Sequence, residues 1–153
     1  MPFQSLLAAD RIVLLVEPGD RDVVLDAAAR LLADNSPANT QVIGDSLRKR
    51  ERLGSTAIGH GIAIPHGRTP AFDTARGAFL RLAEPVDFGA SDGEPVDLVF
   101  AMAVPAHFTQ QHLQLLSELA ERFGDPGFRT LLRMAVDTDA LRGALLGAMS
   151  PAA

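Results

Sequence analysis

Cysteine is absent from the 153 residues, which excludes disulfides, thiolate catalysis and cysteine-ligated zinc. A thiol-free chain suits a reducing compartment, so a cytoplasmic protein is expected. The opening stretch, MPFQSLLAADRIVLLVEPGDRD, has no basic leader, and its apolar runs are broken by Asp10, Arg11 and Glu17. Neither a signal peptide nor a membrane span is read there. Positive charge is not in excess either. Fourteen Lys and Arg stand against nineteen Asp and Glu, a net charge of −5, so a nucleic-acid partner is not expected. The chain also lacks a GxSxG elbow, a P-loop and a helical HExxH pair. Serine hydrolysis, a nucleotide phosphoryl source and a helical zinc site are therefore set aside. No repeat, low-complexity tract or linker interrupts the sequence. What remains is one domain over residues 1–153, 47% hydrophobic and long enough to bury a core unaided.

Periodicity orders the chain. Ile12 to Val16 reads as a short buried strand stopped by Pro18 and Gly19. Asp20 can cap a helix whose apolar positions Val23, Val24, Ala27 and Leu31 recur at helical spacing, as far as about Ala33. Thr40 is a plausible cap for a second helix, about Gln41 to Leu53, burying Val42, Ile43 and Leu47. Gly54 suits its stop, and the basic run near its end suits the macrodipole. Ile62 to Ile64, Gly77 to Leu82 and Val96 to Val104 are strand candidates, the last continuously apolar as a central strand should be. PVDFGASDGEP reads as a short strand or turn with a tight bend at Asp92-Gly93. His112 to Phe123 is amphipathic, with Leu113, Leu116, Leu119 and Ala120 along one face, and GDPG ends it. Two shorter helices, about Phe128 to Met134 and Thr138 to Met149, follow. The class is α/β, a mixed β-sheet flanked by helices.

The chemistry lies with the histidines at 60, 66, 107 and 112. A histidine is mostly neutral near pH 7, with one ring nitrogen able to act as nucleophile, base or ligand. Pro65 stiffens the chain entering His66, and Gly67 lets an incoming group approach the backbone amide. On spacing alone, Pro-His-Gly reads equally as a turn after a strand and as a seat for an anionic group. Arg50 ends the helix feeding this loop, and its planar fork suits phosphate oxygens. Ser55 and Thr56 can add hydroxyl donors. Arg48, Lys49 and Arg52 read as a solvated helix end. His112 opens a helix just past the long apolar strand, where open α/β folds place ligands; it reads equally as a capping or surface histidine. His107 reads as a loop residue. His60, between two glycines, reads as solvent-facing, although it can line the same site. No carboxylate stands beside His66 or His112 in sequence, and Glu51 and Glu118 are well removed from them. With no ligand-pair spacing, neither a metal nor a cofactor is expected.

The run R-E-R-L-G-S-T-A-I-G-H-G-I-A-I-P-H-G-R, residues 50 to 68, resembles the signature of the type-2 EIIA domains of the bacterial phosphoenolpyruvate-dependent phosphotransferase system. These include mannitol/fructose-type EIIA domains and nitrogen-regulatory EIIA proteins. The likeness continues through FGASDGEPVDLVFAMAVP and QHLQLLSELAERF, so it covers nearly the whole chain. It implies a mixed sheet flanked by helices. It also implies that His66 is the phosphoryl acceptor, loaded by an HPr-like phosphocarrier, with Arg50 holding the phosphoryl oxygens. His112 matches the second active-site histidine, expected to stabilise the group without carrying it, while Ser55 and Gly67 support. His60 stands where some members have asparagine. The resemblance leaves two roles open: a regulator whose phosphorylation state selects protein targets, towards which the R-E-x-L-G-S-T detail tilts, or a sugar-uptake component that passes the group to an EIIB cysteine.

Overall fold

A computed structural model describes residues 3–107 and 110–146, with the side chains of residues 110–112 outside the description. Short 3-10 turns at Phe3–Leu6 and Ala9–Arg11 lead into β1 (Ile12–Leu15), followed by α1 (Arg21–Leu32) and α2 (Pro37–Leu53). Next come β2 (Ala57–Gly59), β3 (Ile62–Ala63), β4 (His66–Thr69), β5 (Arg76–Val86) and β6 (Val96–Pro105). Three helices complete the described chain: α3 (Gln110–Phe123), α4 (Pro126–Met134) and α5 (Thr138–Leu146). The expected end of the last helix, residues 147–149, lies outside the described residues.

The six strands form one mixed sheet ordered β1-β5-β6-β3-β2, with β4 also pairing β6. β1 is parallel to β5, β5 antiparallel to β6, and both β3 and β4 parallel to β6. The unbroken apolar run of β6 follows from burial on both faces. Val99, Ala101 and Ala103 pack under α1 and α2, while Leu98, Phe100, Met102 and Val104 pack with α3, α4, α5 and the first turn. The second layer is built on aromatic rings: Phe79 stacks on Phe123 at 6.1 Å and Phe3 meets Phe100 edge-on at 5.6 Å. Truncating Phe123 to alanine is expected to cost about 3–5 kcal/mol.

Several boundaries differ from the periodicity reading. The second helix starts at Pro37 rather than near Gln41, because Ser36 caps it through the Asn39 amide and proline suits the first helical position. Val42 and Val23 face solvent. Asp20 caps α1 as expected, accepting from the Val23 amide at 3.0 Å. Leu113 and Ala120 of α3 are exposed, and the face turned to the core carries Leu115, Leu119 and Phe123. In GDPG, Asp125 accepts from the Gly127 amide and starts α4 two residues before Phe128. Val16 lies beyond β1 and is exposed. Arg48 is not merely solvated: it bonds Asp26 of α1 and Asp45 of its own helix, clamping α1 to α2.

Candidate active site

His66 sits at a break in the sheet edge. β3 and β4 share one side of β6, separated by Ile64 and Pro65. Proline has no amide hydrogen and biases the residue before it towards extended backbone, so the edge breaks here without orphaning a donor. The Pro65 carbonyl still accepts from the Met102 amide at 2.9 Å, and His66 enters β4 opposite Met102. Register partners share a face of a sheet, so His66 lies on the side covered by α3, α4 and α5. Arg68, two residues on, shares that face and is exposed. The sequence reading ended a strand near Ile64 and left His66 outside it. HGRT has none of the apolar, β-branched pattern that announces a strand, and β6 alone recruits it.

The ring of His66 is oriented by its own backbone. Nδ1 lies 2.8 Å from the Ile64 carbonyl oxygen, and a carbonyl only accepts. Nδ1 therefore carries the proton, and the lone pair is on Nε2. Burial of the half-buried ring lowers its pKa below the ordinary histidine value. The Ile64 carbonyl opposes this, the Arg50 guanidinium adds to it, and the Glu51 carboxylate opposes it. The net result is a neutral imidazole at neutral pH with its nucleophilic nitrogen defined.

Gly67 is needed for packing. A Cβ there would stand 2.3 Å from Ser46 Oγ and 3.0 Å from Ser46 Cβ, so only glycine lets α2 lie against β4. The space a Cβ would take is filled by Ser46, whose hydroxyl donates to the Arg68 carbonyl at 2.8 Å. One helical turn beyond Ser46 stands Arg50, on the same face of α2. Its Nη1 donates to the Gly54 carbonyl at 2.8 Å, and its charge reaches His66. Close helix–strand contact thus brings together two residues far apart in sequence.

The loop after α2 is tied down from both sides. Ser55 Oγ donates to the Phe88 carbonyl at 2.5 Å and accepts from the Ala57 amide at 3.1 Å. Its hydroxyl therefore shapes the loop. The Glu51 carboxylate, 4% exposed, accepts from the Thr56 amide at 2.8 Å and the Thr56 hydroxyl at 2.6 Å. Sequence distance had set Glu51 aside, yet the fold brings its charge to bear on His66. The only cue was an acidic residue in the last turn of a helix, where the macrodipole disfavours it.

The remaining histidines separate. His112 lies in the first turn of α3, just beyond the end of β6, whose Pro105 pairs Thr69 of β4. Its side chain is outside the described residues. His107 is exposed in the turn after β6. His60 forms the β2–β3 turn with Gly61, at φ +57° and +79°, the double-positive geometry of a two-residue hairpin that favours asparagine-glycine. Its amide donates to Asp92 Oδ2 at 3.0 Å, and its carbonyl accepts from Arg133. The Gly61 carbonyl pairs at Leu98 and that of Pro65 at Met102, so the turn lies about 13 Å along β6 from His66. His60 does not line the same site. Among the described residues, no group of three or more histidine, aspartate or glutamate side chains is placed to hold a metal ion, and no helix is long and apolar enough to cross a membrane.

Comparison with known proteins bears on the family and the fold. A nitrogen regulatory protein of Pseudomonas aeruginosa is 40% identical over 139 residues, 90% of each chain. The crystal structure of nitrogen regulatory protein IIA-Ntr from Neisseria meningitidis superposes with a TM-score of 0.83 at 38% identity, covering 93% of this chain and 97% of that one. Mannitol enzyme IIA of Escherichia coli, solved in complex with phosphorylated mannitol enzyme IIB, shares the fold at a TM-score of 0.73 and 22% identity, over 92% and 97% of the two chains. Residues 5–146 match the family described as phosphoenolpyruvate-dependent sugar phosphotransferase system, EIIA 2, and to that family this chain belongs.

Proposed function

We propose that the protein is a phosphoryl-carrying regulator of the phosphotransferase system, loaded on His66 by an HPr-like phosphocarrier in the cytoplasm. The contact of Nδ1 with the Ile64 carbonyl carries this reading. The Nε2 lone pair attacks the phosphorus of the carrier's phosphohistidine. The carrier's P–N bond breaks, and its electron pair returns to the carrier imidazole. Because the proton stays on Nδ1, hydrogen-bonded to the Ile64 carbonyl, the phosphorylated ring bears positive charge and later departs as neutral imidazole. That makes it a carrier rather than a store. Arg50 exchanges the Gly54 carbonyl for the phosphoryl oxygens, and positioned charge of this kind supplies most of the catalysis in phosphoryl transfer. The family resemblance assigns His112 a second contact with the group. Gly67 and Ser55 support by shaping the site. A phosphoryl group adds nearly two negative charges and strong acceptors, enough to change which regulatory target binds.

Incubation with phosphoenolpyruvate, enzyme I and an HPr-like carrier, followed by mapping of the phosphate, tests this directly. His66→Ala should take up none, and normal incorporation by that variant would remove the central claim. Arg50→Ala should slow transfer by roughly 100-fold while keeping its circular dichroism spectrum. The likeness to mannitol enzyme IIA, solved with its IIB partner, favours a second reading as a sugar-specific component. Transfer of the label to an EIIB cysteine would establish that role. Target binding that depends on phosphorylation, without such transfer, would establish the regulatory one.

A further inference from the structure

Glu51 occupies an unfavourable position. Its carboxylate is buried, which costs free energy unless it is compensated, and it stands at the negative end of a helix. Both bonds described for it go to Thr56: the amide on Oε2 and the hydroxyl on Oε1. The Thr56 carbonyl accepts from the Ile64 amide at 3.0 Å, and the Ile64 carbonyl accepts from His66 Nδ1 at 2.8 Å. These bonds form one unbroken path from the end of α2 to the ring. It runs through Ile64, whose carbonyl meets the ring just before the Pro65 break. We propose that Glu51 is a positioning residue for phosphoryl transfer: through Thr56 and Ile64 it fixes the orientation and tautomer of the His66 imidazole. The inference rests on His66 being the acceptor.

A second consequence is electrostatic. The charged groups described around the ring are Arg50 and Glu51 from α2 and Arg68 on its own strand. Glu51 is the anion of this set, so it restrains the fall in the pKa of His66 that burial and Arg50 impose. Removing its charge should lower that pKa further. Removing its hydrogen bonds should loosen the ring.

The test uses the full chain. The tautomer and pKa of His66 are read from long-range 1H–15N spectra, and transfer from a phosphorylated HPr-like carrier is read as a saturating rate and a carrier KM. Glu51→Ala and Thr56→Val should each reduce the saturating rate about tenfold, as loss of an orienting contact does, with little change in KM. Both should mix the Nδ1–H and Nε2–H tautomers. Thr56→Ser, which keeps the hydroxyl, should restore rate and tautomer. Glu51→Gln, which keeps the shape but loses the charge, should hold the tautomer and shift the acidic limb of the pH–rate profile to lower pH. A folded Glu51→Ala with wild-type rate, tautomer and pKa overturns the proposal. Should that variant not fold, Thr56→Val and Glu51→Gln decide in the same way. Labelling of His66→Ala, by contrast, would overturn the acceptor assignment itself.

Discussion

Two histidines six positions apart, His60 and His66, are both followed by glycine, yet the fold uses them in opposite ways. At His60 the backbone is engaged and the side chain projects outward: φ is positive, the amide holds Asp92 and the carbonyl holds Arg133. At His66 the backbone is an ordinary strand and the ring is engaged, bonded to the Ile64 carbonyl and half-buried. Histidine is serviceable for nucleophilic work when its ring is held, its tautomer set and its water reduced. A histidine whose backbone is held is exchangeable for any residue that tolerates the turn.

The glycines give the largest test of this contrast. Gly67→Ala drives a Cβ into Ser46 and should cost roughly 1–3 kcal/mol in urea unfolding. It should also slow phosphoryl uptake, because α2 must shift with Arg50 aboard. Gly61→Ala places a Cβ 2.6 Å from Arg133 Nη2 at φ +79° and should lose about 1–3 kcal/mol to strain, yet leave the uptake rate of the folded protein intact. Equal effects on uptake would erase the distinction between the turn and the strand.

Acid should reveal the second difference. The pKa of His66 is lowered chiefly by burial, so in the window just below the ordinary value, about 6.5, the unfolded chain binds more protons than the folded one. Stability then falls as pH drops through that window and levels off below the folded-state pKa. His66→Gln should remove that slope, whereas His60→Gln should retain it; chemical denaturation across pH 5–8 measures both. For the same reason uptake should persist to a lower pH than an unperturbed histidine would allow. The smallest effect is expected at the turn residue itself. His60→Asn should change stability by less than about 0.5 kcal/mol, while His60→Val, β-branched at positive φ, should cost about 1 kcal/mol. Thermal melts distinguish them.

How much of this was legible depended on whether the signal was local. Asp20 and the glycine at 54 mark helix ends through chemistry confined to one turn, and β6 declares itself by uninterrupted apolarity. The start of α2 was misplaced because Ser36 and Thr40 are both acceptable caps, and only the Asn39 contact chooses between them. Of the expected α3 face, Leu116 and Leu119 pack on the core while Leu113 and Ala120 face solvent, because the leucines are dense enough to fit two helical phases and the aromatic layer selects the one with Leu115, Leu119 and Phe123. At the site, His66 and Arg50 stood out by type and by resemblance. Ser46 did not, since it matters only once α2 lies against β4, and Thr56, read as a hydroxyl donor, gives no sign in the sequence that its partner is Glu51. For Gly67 the sequence suggests access to its amide, and the structure adds a packing reason. Its missing Cβ makes room for a helix.

The hydroxyl of Ser46 on the Arg68 carbonyl bears on how other proteins approach this surface. A strand at the rim of a sheet normally offers a row of unpaired backbone groups to any extended peptide, inviting strand addition and aggregation. β4 is only four residues long, follows a proline, and has one outward acceptor already taken by a helix. The rim beside His66 is thus poorly suited to backbone zippering. If the proposed phosphocarrier docks against His66, side-chain contacts suit that surface better than strand addition, and such contacts let a partner leave again.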